Sequence, residues 1–217
     1  MTIDATLAII YCLAAYAIGS LPTAIWYGQA FHGVDVRDFG SGNAGATNTF
    51  RVLGSKPGII VLLIDAFKGW TATILSFILI HNSNIHEKYI PIYGMLFGAL
   101  AVIGHIFPLF ANFKGGKGVA TSIGMVFGIN PELALVCLVI FLIVFFTTHY
   151  VSLGSITAAF AYPLLMLSPR FLPEQHFMVI LGFFMFAMVV IMHQKNIVRL
   201  INGEESKIHL FKKKSQA

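Results

Sequence analysis

The chain has 217 residues, 57% of them hydrophobic and only 11% charged, with a formal net charge of +5. A soluble domain carries roughly 25% charged residues, and a mean hydropathy of +0.82 leaves too little charge here to coat a water-facing surface. This excludes a soluble enzyme and points to an all-α polytopic membrane protein, read as one domain over residues 1–217 because the loops are too short to fold separately.

A helix needs about 20 residues to cross a bilayer. The first apolar run covers residues 5–27; no basic residue precedes it, so it reads as a retained membrane helix and not as a signal peptide. A polar, glycine-rich stretch, 39–51, follows as a loop. The second run, 58–80, carries Asp65 and Lys68, which share one helix face. They read either as an ion pair or as a substrate contact, since ionisable groups inside a span are costly and usually paired or functional. A polar link, 81–88, leads to a third run, 90–111, where His105 reads as a hydrogen-bonded packing residue. Cys12 and Cys137 lie in apolar runs without metal-ligand spacing and read as buried small hydrophobes.

Residues 119–150 are apolar over too long a distance for one simple crossing. Asn130-Pro131 interrupts them with an N-cap residue and a proline suited to the first helical position. The expectation is a short fourth helix, 119–129, and a full fifth one, 132–148. A sixth run covers 152–167 and a seventh 177–192, and the tail from His193 is polar and basic. With seven transmembrane helices, Arg37, Arg51, Lys56, Lys114, Lys117, Lys195, Arg199, Lys207, Lys212, Lys213 and Lys214 fall on one side, 11 of the 14 basic residues. Only Lys88 and Arg170 fall on the other. The positive-inside rule then puts the N-terminus outside and the C-terminus in the cytoplasm. Lys212 to Lys214 read as a solvated tail touching anionic head groups.

Three polar clusters come to the cytoplasmic face. The stretch 39–51 holds three glycines, Ser41, Asn43, Thr47, Asn48, Thr49 and Arg51. Glycines let backbone N–H groups converge on an anion, and arginine adds a planar fork for phosphate. The cluster Lys114-Gly115-Gly116-Lys117-Gly118 resembles a nucleotide-binding phosphate loop, but Gly118 stands where that pattern needs Ser or Thr. What remains is a glycine turn opening onto a helix N-terminus with two lysines beside it, a place for an anion or a basic turn that fixes topology. The third, His193-Gln-Lys-Asn196-Ile-Val-Arg199, leaves the last span. If the helix continues, His193 and Asn196 look back toward the other two clusters.

The motifs Gly40-Ser-Gly-Asn-Ala-Gly-Ala-Thr-Asn48 with Arg51, Asp65-Ala-Phe-Lys-Gly69, Gly104-His-Ile-Phe-Pro108, Phe113-Lys-Gly-Gly-Lys-Gly-Val-Ala-Thr121 and His193-x-x-Asn-Ile-x-Arg-Leu200 closely resemble the bacterial acyl-phosphate:glycerol-3-phosphate acyltransferases, the PlsY family. They match in order and spacing over essentially the whole chain. The resemblance implies a seven-helix enzyme of the bacterial inner membrane, with its active site facing the cytoplasm. It would transfer a fatty acyl group from acyl phosphate to the 1-hydroxyl of glycerol 3-phosphate, giving lysophosphatidic acid and phosphate, with no cofactor and no metal. By position, the catalytic and acceptor-phosphate groups fall on Ser41, Arg51, Lys117, His193 and Asn196. The donor-phosphate contacts fall on Asn43, Gly45, Thr47 and Asn48, and on Gly115, Gly116 and Gly118 with Lys114 beside them. The partners implied are the two substrates and membrane lipids, with contact to the soluble enzyme that makes acyl phosphate left open and no nucleic acid.

The residues agree with this in one independent respect. The His-x4-Asp signature of acyl-CoA-dependent acyltransferases is absent, and no Cys or Ser stands beside a histidine to form an acyl-enzyme. Acyl phosphate is already activated, so a protein using it needs mainly to position two phosphates and stabilise developing charge. The competing reading is a membrane binding or transport protein for phosphate or small phosphorylated metabolites.

Overall fold

The computed structural model describes residues 3–208, so the expectation for Lys212 to Lys214 lies outside the described residues. The described chain is helical: α1 (Ile3–Gly19), α2 (Thr23–His32), α3 (Ala46–Leu53), α4 (Ser55–His81), α5 (Ile90–Ile106), α6 (Val119–Ile129), α7 (Pro131–Thr148), α8 (Val151–Leu165), α9 (Phe177–Met192) and α10 (Gln194–Ile201). The short helix 119–129 and the run 177–192 end where the sequence placed them. Asn130 caps α7 as expected, its side chain accepting from the Leu133 N–H at 3.0 Å, and Pro131 takes the first position.

Two elements differ from the sequence reading. The first run is a broken rod, α1 and α2, because Pro22 has no N–H to continue the ladder. The carbonyl that this break exposes, that of Leu21, accepts from the Lys68 ammonium at 3.0 Å. The second difference lies in 39–51, where only the first half is loop and Ala46–Leu53 forms α3. Its Asn and Thr content suggested a loop because these side chains compete for the backbone. Here that competition serves the helix, since Thr49 Oγ1 bonds back to the Gly45 carbonyl at 3.1 Å and Asn48 reaches out of the helix to the preceding loop.

Among the described residues, four helical segments are long and apolar enough to cross a membrane: 5–32, 55–81, 87–111 and 131–148. A fifth arises if α9 and α10, bent by 64°, count as one broken span; α6 and α8 are shorter apolar helices. Large apolar side chains cover the outside, among them Leu13, Leu63, Phe67, Ile143, Ile180 and Phe184. In water such a surface would aggregate; in a bilayer it is the solvated face.

Because lipid tails are as apolar as Leu, the helices associate by close approach at small residues and not by hydrophobic collapse. A Cβ added to Gly69 would overlap the Thr121 carbonyl, and one added to Gly124 the Ala66 carbonyl, so α4 and α6 touch backbone to backbone. Gly19 and Gly104 do the same for α1 and α5. A methionine-rich core of Met95, Met125, Met166, Met178 and Met185 fills the space among α5, α6, α8 and α9. This packing brings the ends of α3, α5, α6 and α10 together at one end of the bundle.

Candidate active site

The first polar loop is fixed from within. Asn48, 1% exposed, accepts from the Ser41 N–H at 2.8 Å through Oδ1 and donates through Nδ2 to the carbonyls of Val36 at 2.7 Å and Phe39 at 3.1 Å. Its amide is therefore spent on shaping the loop. Gly40 and Gly42, at φ of 61° and 71°, supply the left-handed turns that leave Ser41 exposed on the loop. Asn43, Gly45 and Thr47 sit half-buried at the start of α3, whose first N–H groups have no intrahelical acceptor.

The second loop docks on the end of α5. The Gly115 N–H donates to Ile106 O and the Gly116 N–H to His105 O, both at 3.1 Å. These two N–H groups cap α5 and do not point into an anion nest, as the glycine-rich sequence suggested. The two loops meet where the Ala44 N–H approaches the Gly115 carbonyl at 3.4 Å. Gly118, at φ of 82°, turns the chain into α6. Lys114 stays exposed on the surface, while Lys117 is carried inward.

The third cluster is where the cations meet. At the elbow between α9 and α10, His193 is 2% exposed and its Nδ1 lies 2.7 Å from the Val189 carbonyl. A carbonyl only accepts, so Nδ1 carries the proton and Nε2 is the free nitrogen. The sequence left the continuation of the helix open. The chain bends instead, and the turn into α10 places Asn196 to accept a hydrogen bond from the Lys117 ammonium through Oδ1.

The residue that sequence reasoning missed is Glu205. Its carboxylate accepts from Asn196 Nδ2 at 2.7 Å, Ser152 Oγ at 2.8 Å and Arg199 Nε at 2.7 Å. The segment that carries it crosses the site, and Arg51 reaches it at the Ser206 carbonyl, 3.5 Å away. One of two adjacent glutamates in a polar, basic tail gives no signal in sequence, because its partners come from α8 and α10. Burial works against the charged form of Glu205, yet the hydrogen bonds from Arg199, Asn196 and Ser152 outweigh it and hold the carboxyl below its usual range.

Arg51, Lys117, His193 and Asn196 thus lie in one cluster with Arg199 and Glu205. The loop bearing Ser41, Asn43 and Gly45 lies against the loop that carries Lys117, through Ala44 and Gly115. Burial, aided by the repulsion of Arg199 and Arg51, pushes the Lys117 ammonium down to about 8 against the attraction of Glu205. Asp65 and Lys68, which the sequence left between ion pair and substrate contact, form a buried pair at 2.9 Å.

A helical membrane protein with a cluster of phosphate-suited cations at one end of its bundle is the class that these features define. The family model described as glycerol-3-phosphate acyltransferase matches residues 9–203. The chain is 45% identical over 200 residues to the glycerol-3-phosphate acyltransferase of Listeria monocytogenes serotype 4a (strain HCC23), covering 92% of this chain and 96% of that one. It is 43% identical over 205 residues to that of Macrococcus caseolyticus (strain JCSC5402), covering 93% and 96%. Among solved structures it resembles the glycerol 3-phosphate form of the integral membrane glycerol 3-phosphate acyltransferase PlsY, with a TM-score of 0.80 and 33% identity over 94% of this chain and 99% of that one. The lysophosphatidic acid form gives 0.77 and 34%. The chain belongs to the glycerol-3-phosphate acyltransferase family, the PlsY family of acyltransferases that act in the membrane.

An ammonium held near pH 8 loses its charge as pH rises through that value. We therefore expect kcat/KM for a phosphorylated acceptor to fall above about pH 8, and Lys117→Arg, which stays protonated, to move that alkaline limb beyond pH 10. A limb unchanged in Lys117→Arg assigns it to another group.

Proposed function

We propose that this protein transfers a fatty acyl group from acyl phosphate to the 1-hydroxyl of glycerol 3-phosphate, giving lysophosphatidic acid and inorganic phosphate. The observation that carries the reading is the convergence of Arg51, Lys117 and Arg199 around Asn196 and Glu205, beside the N-terminus of α6. The similar solved structures are described as glycerol 3-phosphate and lysophosphatidic acid forms, the acceptor and the monoacylated product of such a transfer. Phosphate monoesters suit a site of one guanidinium fork and one ammonium point charge.

In this reading the acceptor hydroxyl oxygen attacks the acyl carbonyl carbon, the bond from that carbon to the phosphate oxygen breaks, and phosphate leaves with the electron pair. Arg51 and Lys117 bind acceptor phosphate, and the first N–H groups of α3 and α6, with Asn43, Gly45, Thr47 and Gly118, take the donor phosphate. Ser41 lies on the exposed loop beside them. Asn196 holds Lys117 in place. The proton passes to the acceptor's own phosphate, whose second pKa is near 6. Since Nδ1 of His193 is committed to Val189, its Nε2 is free to accept from the phosphate O–H that results. No acyl-enzyme is formed.

The same reading places the chain in the bacterial inner membrane as a single domain with seven crossings. The N-terminus is outside, the C-terminus and active site are cytoplasmic, and α6 and α8 act as short crossings. The split of basic residues supports it, as does the meeting of Arg37 with Ala111, Arg51 with Ser206 and Lys117 with Asn196 at one end of the bundle. Membrane lipids are its solvent, and the soluble enzyme that makes acyl phosphate is a candidate partner.

Purified protein in detergent is expected to form lysophosphatidic acid from acyl phosphate and glycerol 3-phosphate, and not from acyl-CoA or acylated carrier protein. Equal rates from the three donors would remove the acyl-phosphate assignment. His193→Asn can keep the hydrogen bond to the Val189 carbonyl but offers no base where Nε2 stands; turnover should persist with a raised acceptor KM. Complete loss of turnover with acceptor binding unchanged would make His193 the base. A reporter after Ala217 should report the cytoplasm and one at Ser83 the outside, and both on one side would end the seven-crossing arrangement.

A further inference from the structure

The residues of the proposed mechanism do not explain the buried ionisable groups Asp65, Lys68 and His105. Asp65 and Lys68 are 1% and 4% exposed on α4, and His105 is 6% exposed in the last turn of α5. A leucine or phenylalanine would fill such a position inside a membrane helix at less cost than an ion pair. The side chains lie in series: Lys68 Nζ donates to Leu21 O at 3.0 Å and pairs with Asp65 Oδ1 at 2.9 Å, and the same oxygen faces His105 Nδ1 across 3.6 Å, an electrostatic contact longer than a hydrogen bond. The opposite edge of the ring faces the second polar loop. A Cβ on Gly116 would overlap His105 Nε2, so the backbone of Gly116 lies directly against the imidazole. The His105 carbonyl also accepts the Gly116 N–H at 3.1 Å. Gly116 is thereby held twice by one residue, and the next residue is Lys117, whose ammonium reaches Asn196.

We propose that His105 is a positioning residue for Lys117: the buried Asp65 carboxylate fixes one edge of its imidazole, and the other edge sets the height of Gly116 and hence of the Lys117 ammonium. The ion pair on α4 then has a task besides packing, since it orients a ring that aims a cation. The absence of a side chain at residue 116 has the same cause, because only glycine admits the ring edge. This inference rests on the assignment of Lys117 to phosphate binding.

The test is a double-mutant cycle on purified detergent-solubilised protein. His105→Phe keeps a ring and about the same volume but gives Asp65 no N–H. In the wild-type background it is expected to lower kcat/KM for glycerol 3-phosphate about tenfold, within the coupling usual for groups acting through contact. In the Lys117→Ala background, with enzyme raised to keep the rate measurable, the same change should cost less than twofold. His105→Asn, which keeps an N–H toward Asp65, should recover part of the loss. An equal fold-loss in both backgrounds, or no loss in either, overturns the proposal. If His105→Phe does not purify as a monodisperse species, Asp65→Asn runs the same cycle with the same expected and overturning outcomes. Near-normal activity of Lys117→Ala alone would sink the assignment of Lys117 and not the contact between His105 and Gly116.

Discussion

Gathering positive charge at the edge of a membrane is expensive unless something negative is gathered with it. In this protein the Glu205 carboxylate does so, accepting hydrogen bonds from Ser152 on α8 and from Asn196 and Arg199 on α10. Through Asn196 it reaches Lys117, and the neighbouring Ser206 carbonyl meets Arg51. Elements far apart in sequence therefore converge on one short segment. A buried carboxylate satisfied by several donors fixes geometry in a way that an apolar contact cannot, because each donor direction is specified. One carboxylate among Arg51, Lys117 and Arg199 leaves the cluster cationic while relieving part of their mutual repulsion.

The helices beneath the site solve a different problem. In lipid the apolar effect does not distinguish helix from tail, so α4, α5 and α6 are held by contacts that need small residues. Gly69, Gly124, Gly19 and Gly104 each admit a carbonyl of the neighbouring helix. Backbone-to-backbone packing leaves little play between helices. A loop anchored to the end of α5 thus inherits the rigidity of the bundle, which an electrostatic site requires.

The sequence made the membrane class, the limits of α6 and α9, the cap at Asn130 and the polar clusters legible, because hydropathy and capping are local properties. It also grouped Arg51, Lys117, His193 and Asn196 by motif. What it hid depends on tertiary partners. Asn48 looked like a ligand donor until the structure showed its amide filled by Ser41, Val36 and Phe39. Gly115 and Gly116 looked like an anion nest, but their N–H groups cap α5. Glu205 carried no pattern at all. The break at Pro22 falls inside the run read as one helix over 5–27, and the partner that makes it tolerable, Lys68, lies on another helix.

The placement of Glu205 orders events in time as well as space. Residues 203–208 follow every helix among the described residues, and they meet their partners only after α8 and α10 exist to receive them. During synthesis, the ribosome has therefore delivered all the apolar helices before the carboxylate arrives that balances Arg199 and engages Asn196. Until then Arg199 and Asn196 lack the carboxylate that engages them. The cluster is therefore complete only once the segment that follows α10 has been made.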